Sequence, residues 1–246
     1  MTAARRPGLA LLATLVGLAT LVLDQGLVQH RALAGPLAIL RALATAIGDG
    51  TLGADLAATI RRTALGLAGG ALLGIALAVP ASRSRDAVEA PLDFFRAIPP
   101  LLVVPLLCFA FGYGELARVL AVAWAAALTV SLHVSAALAR PAGERERALA
   151  AMGASRLQLF RFVRSRELVP PLLVGLRQAL ALGLVVSVVT DMVIGADAGL
   201  GARAVAAQIA YDTPGLWAVL IVTGLLGLVP ARALLALERR VEHWRP

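Results

Sequence analysis

The sequence predicts an all-α, polytopic membrane protein of about six transmembrane helices, and three observations carry that expectation. Hydrophobic residues make up 59% of the chain and charged residues 15%, with a mean hydropathy of +0.83. A soluble domain usually carries roughly 25% charge. The apolar residues fall in blocks of about 20, the length that crosses a bilayer core. Between two of these blocks lies one arginine-rich polar loop, residues 140–167. Such a chain has lipid for solvent and owes its compactness to helix packing rather than to a single water-excluding core.

Taken in order, the first span is expected from Gly8 to Val28, behind Arg5 and Arg6. It has the charged start and apolar middle of a signal peptide, but Asp24-Gln25 stands where a small-residue cleavage site would be, so an uncleaved span is the favoured reading. His30 to Ala54 form an outer segment of weak amphipathic helicity, giving an N-terminal portion 1–55. The remaining spans are expected at Leu56–Val79, Phe94–Phe111, Leu116–Ala139, Leu168–Ala196 and Pro214–Leu237, a core of five helices over 56–246.

The arginines orient this chain. With the amino terminus inside, fifteen fall on the cytoplasmic side, and six fall at or near the outer side: Arg31, Arg41, Arg61, Arg62, Arg118 and Arg203. Arg96 and Arg177 lie within spans. Basic residues accumulate in cytoplasmic loops, so both termini and the arginine loop are expected inside. All 23 basic residues are arginine. Without a lysine there is no phosphate-binding loop of the Gly-x-x-x-x-Gly-Lys type, and any ATP-driven activity must draw on another subunit. The net charge of +8 comes without the aromatic-interleaved basic surface of a nucleic-acid binder, so no nucleic-acid partner is expected. Cys108 is alone, which excludes an internal disulfide.

Three features of the spans have the look of working parts. Gly66, Gly70 and Gly74 recur every four residues with Ala78 continuing the row, a smooth stripe that lets a neighbouring backbone approach closely. Packing within the chain is preferred to a subunit interface. The third span opens with Ala97-Ile98-Pro99-Pro100 and contains Pro105. Prolines remove backbone donors and bend helices, and both a broken helix lining a pathway and a structural kink fit. The fifth span holds Arg177 and Asp191, about 21 Å apart along a helix and therefore unable to satisfy one another. Ionisable residues within a span point to function by default. Arg177 can also snorkel to the inner headgroups, and Asp191 can be an interfacial carboxylate or a pathway residue. Ser187, Thr190 and Gly195 make that end of the helix small and polar, with expected room for a solute.

Other candidates carry less. His133 reads as a packing residue rather than a ligand, no His, Cys and carboxylate group has metal-ligand spacing, and nothing resembles a catalytic triad. Gly199-Leu200-Gly201 does not follow a strand, so it gives no support for dinucleotide binding.

The arginine loop is patterned beyond what a tether needs. Two short amphipathic pieces hinge at Met152-Gly153-Ala154-Ser155, which points to docking on a cytoplasmic partner. Residues 147–201 resemble the permease subunits of bacterial ABC importers, nearest to the branch serving alkanesulfonates, taurine and nitrate. That family carries a loop of the form Glu-Ala-Ala-x-x-x-Gly followed by Ile-x-Leu-Pro. Ala148 matches the first alanine and Gly153 the glycine. The run from Ala154, Ser155 and Arg156 through Phe160 to Arg161 is the usual continuation. Pro170, Gly175, Leu176, Arg177, Ala179 and Leu180 fit the next pattern, Asp191 falls where the family has glutamate, and Gly199-Leu200-Gly201 matches a Gly-Ile/Leu-Gly turn. Upstream, Phe95 to Pro100, Pro105-Leu106 and Phe111-Gly112 resemble the third-span pattern, so the likeness covers residues 56 to the carboxyl end. The chain departs from the family at Arg147, which stands in the glutamate slot with Glu146 one place earlier, at Leu149 in place of the second alanine, and at Val163-Arg164-Ser165-Arg166, where the proline is missing.

The resemblance implies a type I ABC importer permease-like fold in the bacterial cell membrane, with no catalysis or cofactor of its own and ATP bound by a partner. Arg147, Ala148, Leu149, Met152, Gly153, Ala154, Ser155, Arg156 and Phe160 would then form the element that couples to the ATPase. Implied partners are an ABC ATPase dimer, an extracytoplasmic solute-binding protein and a second permease copy; small organic or inorganic anions are the usual cargo. Pathway candidates are Pro99, Pro100, Arg177, Ser187, Thr190 and Asp191. A gradient-driven transporter or channel is the competing reading. Such folds often repeat a broken helix in matching positions, and no second copy of the Pro-Pro span or the arginine loop is present.

Overall fold

The computed structural model describes residues 33–84, 88–141 and 143–241. The expected first span, Gly8–Val28, lies outside the described residues, as do Arg5, Arg6, Arg31, Arg85 and Arg245. The described chain is helical: α1 Pro36–Gly48, α2 Thr51–Arg83, α3 Ala90–Ala97, α4 Pro100–Phe111, α5 Glu115–Leu138, α6 Glu144–Ala151, α7 Arg156–Leu159, a π-helical turn Phe160–Arg164, α8 Ser165–Ile194, α9 Leu200–Ile209 and α10 Thr213–Val241. Four segments are long and apolar enough to cross a membrane: α2, α5, the run Arg156–Ile194 and Thr213–Arg240. A fifth is formed if α3 and α4 count as one broken span.

That break is the largest difference from a simple reading of hydropathy. The expected third span, Phe94–Phe111, is two helices bent by 93° to each other. Ile98 and Pro99 are extended (ψ 121° and 127°), and Pro100 opens α4 at a first-turn position where its missing N–H costs nothing. Phe95 packs edge-on against Trp124 of α5, ring centroids 5.5 Å apart, and Arg96 donates to Ser131 Oγ at 3.1 Å, so the short arm is fastened to α5 at two points. The alternative of a mild kink is set aside.

The described residues group into two compact units: 59–194 with 226–241, and 33–58 with 195–225. In the larger unit α5 is the central helix. Its buried side is rich in alanine, with Ala117, Ala121, Ala125, Ala126 and Ala127 all but inaccessible. Small residues let α2 press against it: a Cβ on Gly66 would lie 2.5 Å from Val122 Cβ, one on Gly74 2.6 Å from Ala127 O, and Gly70 abuts the Ala123 carbonyl. The glycine stripe thus faces α5 of its own chain. Dispersion contacts at such short range drive helix association in lipid, where the hydrophobic effect is absent. On the other side Gly175 of α8 sits under His133, whose Nδ1 lies 2.9 Å from Thr129 O, and Gly183 abuts Val122. His133 is a packing residue of α5.

In the smaller unit Asp49 accepts from the Thr51 amide and hydroxyl (2.9 and 2.7 Å) as α2 begins. Those bonds hold its exposed carboxyl below the usual range. Asp55 ties α2 to the start of α9: its Oδ1 accepts from Gly199 N at 2.8 Å and its Oδ2 from Arg203 Nε at 2.6 Å. Gly199-Leu200-Gly201 is therefore a helix entry, with Gly199 at φ +140°.

Candidate functional site

The loop that follows α5 folds into a compact pair of short helices. α6 keeps Glu146 and Leu149 turned inward and presents 144, 147, 148 and 151 on one exposed stripe. Gly153 then takes φ +83°, a left-handed conformation that costs other residues about 1–2 kcal/mol. Ser155 caps α7: its Oγ accepts from Gln158 N, and Gln158 Oε1 accepts from Ser155 N at 2.8 Å, so both orphan donors are satisfied. The hinge read from the sequence is a sharp, capped turn. It exposes a run of apolar side chains, with Met152 at 76%, Leu157 at 74% and Phe160 at 50% accessibility. Leu149, Met152, Gly153, Ala154, Gln158 and Phe162 line a groove of ≈ 280 Å³. Arg147, Ala148 and Arg156 are exposed beside this apolar strip.

The departures noted in the sequence meet each other here. Glu146, one place before Arg147, accepts from Arg164 Nε at 2.9 Å. Arg164 belongs to the stretch where the closing proline is missing, so two departures form a single ion pair that fastens α6 to the π-helical turn.

At the opposite end of these helices stands a second, very different set of charges. Arg62 of α2 reaches Asp191 Oδ1 of α8 at 2.9 Å through Nη1, and its Nε donates to Glu115 Oε2 of α5 at 2.9 Å. Arg61 donates to Glu115 at 2.8 Å, Arg118 Nη1 donates to Glu115 Oε1 at 3.0 Å, and Arg118 Nε lies 3.9 Å from Asp191. The Asp191 side chain is 0% accessible and that of Arg62 3%. Thr59, Thr63, Ser187 and Thr190 are buried as well. A charged residue deep in a span costs about 2.5–3.5 kcal/mol on insertion scales, and mutual pairing offsets much of that. The result is a clamp joining α2, α5 and α8.

One expectation is corrected by this packing, and another is added to. Asp191, Ser187 and Thr190 were expected beside room for a solute; the structure packs all three inside the helix cluster, with no surface of their own. Arg62 and Arg118, counted as outer-side arginines, are the partners of Asp191. The signal was present: a carboxylate within a span needs a cation at membrane depth, and Arg62 lies inside the expected Leu56–Val79 span. Arg177 does not meet Asp191; it lies 3.6 Å from Glu238 of α10. Pro99 and Pro100 sit at the α3–α4 break, Pro99 exposed and Pro100 half-buried. The pathway candidates therefore separate into an accessible break, a half-buried ion pair and a sealed clamp.

Comparisons agree with this architecture. The profile of the family described as binding-protein-dependent transport system inner membrane component matches residues 70–243. A probable ABC transporter permease protein of Brucella abortus is 32% identical over 220 residues, covering 87% of this chain and 86% of its own length. The taurine transport system permease protein of Escherichia coli is 30% identical over 217 residues (85% and 78% covered). A putative aliphatic sulfonates transport permease protein of Bacillus subtilis is 25% identical over 241 residues (97% and 87%). Among solved structures, an amino acid ABC transporter chain aligns with TM-score 0.66 at 20% identity, covering 80% of this chain and 96% of that one. A chain of the MetNI methionine ABC transporter, in an inward-facing conformation, aligns with TM-score 0.61 at 25% identity (78% and 94%). With a long apolar helix set, this fold and these relatives, the chain is a multi-pass membrane protein that belongs to the binding-protein-dependent transport system inner membrane component family, the permeases of ABC importers.

Proposed function

We propose that this chain is the pathway-forming subunit of an ATP-driven importer, paired with a second copy and driven through its arginine loop by a separate ABC ATPase dimer. The observation that carries the proposal is the capped turn at Gly153, which holds Met152, Leu157 and Phe160 in the open on a rigid frame. Large apolar patches on an otherwise solvated loop mark interaction sites. The loop and both termini are then cytoplasmic, and an extracytoplasmic binding protein delivers the solute on the other side.

In this reading ATP-driven closure of the ATPase pair moves the two loops. Because α5 leads into the loop and α8 leads out of it, that motion enters the helix cluster directly. The glycine contacts and the clamp make α2, α5 and α8 travel together, so access alternates by rocking of packed helices rather than by bending one of them. The break at Ile98-Pro99 is a point where the pathway wall can yield.

The cargo is a small solute, and a small anion such as a sulfonate, taurine or nitrate is the reading that the sulfonate and taurine relatives support. Relatives named for formylaminopyrimidine and riboflavin transport define the range within which that choice is made. The test is reconstitution with the ATPase and binding protein of the same transporter, followed by uptake of labelled taurine, sulfonate and nitrate. ATP-dependent accumulation of one of them is expected. Co-purification of the ATPase that survives Ala148→Glu together with Gly153→Trp would sink the docking role. Uptake that persists without ATP and collapses with the proton gradient would reinstate a gradient-driven transporter.

A further inference from the structure

The docking element has a charged rim as well as an apolar centre, and the rim is predominantly basic. Residues 140–167 hold seven arginines and three glutamates. One of those glutamates, Glu146, faces inward onto Arg164 and so contributes no charge to the outward face. The exposed stripe of α6 carries Arg147 at its centre, with Glu144 one turn before it, while Arg156 and Arg161 flank Leu157 and Phe160 beyond the turn and leave the balance positive. Guanidinium groups present planar, forked donors suited to carboxylates.

We propose, resting on the docking reading above, that this face selects its ATPase by charge. The partner's cleft is apolar at its centre, where it takes Met152, Leu157 and Phe160, and carries carboxylates at its rim opposite Arg147, Arg156 and Arg161. An ATPase with a basic rim is rejected, because like charges brought together at an interface act as a repulsive filter. The capped turn supports a protein partner over a lipid surface. It holds three apolar side chains at fixed positions between the arginines, which a fluid headgroup layer does not require.

The experiment measures the affinity of the detergent-solubilised permease for the ATPase subunit of its own transporter at low and high salt. Wild-type affinity falls about tenfold or more on going from 0.05 to 0.5 M salt, since exposed charges are screened over that range. Arg147→Glu combined with Arg161→Glu loses a comparable factor at low salt and flattens the salt dependence, and replacing rim carboxylates of the ATPase by arginine restores binding. Leu157→Asp abolishes binding at both salt concentrations. All three positions are exposed, so unchanged gel-filtration profiles and helical content are expected of every variant. Loss with Leu157→Asp but salt-independent, wild-type-like binding of the arginine variant overturns charge selection and leaves docking intact. Unchanged binding with Leu157→Asp overturns the docking reading itself, and this inference with it. Arginine effects that emerge only in vesicles containing phosphatidylglycerol assign the rim to lipid and overturn the proposal.

Discussion

Arginine is used in two opposite ways at the two ends of α5. At the Glu115 end, Arg62 and Arg118 point into the protein, and each lies within reach of both Glu115 and Asp191. At the Leu138 end, Arg147, Arg156 and Arg161 point away from it. The same side chain organises helices where it is buried and addresses other molecules where it is exposed. Its surroundings decide the role, because a desolvated guanidinium is intolerable without a carboxylate and a hydrated one is not.

The comparison can be broken most severely at the clamp. Asp191→Ala removes the buried acceptor of Arg62 Nη1 and leaves Glu115 as the carboxylate facing both Arg62 and Arg118. Breaking a buried pair costs up to about 3–5 kcal/mol, so a fall in thermal midpoint in detergent, the largest of this series, is expected. Wild-type stability in this variant would mean that the pair holds nothing together. Gly70→Leu tests the packing beside the clamp. Overpacking costs about 1–3 kcal/mol and more when a backbone carbonyl is in the way, so it too lowers the midpoint, and an unchanged melting curve would argue against close contact between α2 and α5. Gly153→Val sharpens the contrast at the other end. It costs about 1–2 kcal/mol locally through the left-handed φ, leaving the melting of the membrane helices in place while ATPase assembly is lost; intact assembly would free the turn from its assigned role. The smallest effect belongs to Arg61→Gln, whose side chain is 60% accessible. Exposed ion pairs contribute about 0–1 kcal/mol, and a shift as large as that of Asp191→Ala would place Arg61 in the clamp proper.

Much of this was legible in the sequence, for reasons that particular residues make plain. Lipid imposes a length on apolar runs, so α2, α5, α8 and α10 could be located, although α2 overruns the expected Leu56–Val79 at both ends because a helix need not stop where the hydrocarbon does. A spacing of four among Gly66, Gly70 and Gly74 is a local pattern, and it exposed the face that meets α5. The turn at Gly153 was visible because only a few residues are involved. What stayed hidden was tertiary. The Pro99-Pro100 pair raised a broken helix as one of two readings, but neither the 93° angle of the bend nor the partner of Asp191 follows from neighbours in the chain; Arg62 and Asp191 are 129 residues apart. Composition raised the question of how Asp191 is neutralised, and only the packing of α2 against α8 answers it.

That separation has a consequence for biogenesis. Arg62 is synthesised long before Asp191, so α2 must wait for its counter-charge. At about 5–20 residues per second, the 129 intervening residues take roughly 6–26 s. Glu115, 53 residues downstream, arrives first and supplies a partner that the folded clamp keeps. An Asp191→Ala nascent chain should therefore still deliver α2 to the bilayer in a glycosylation-mapping assay, whereas Glu115→Ala should delay it. The clamp is therefore complete only once α8 has joined the helices made before it.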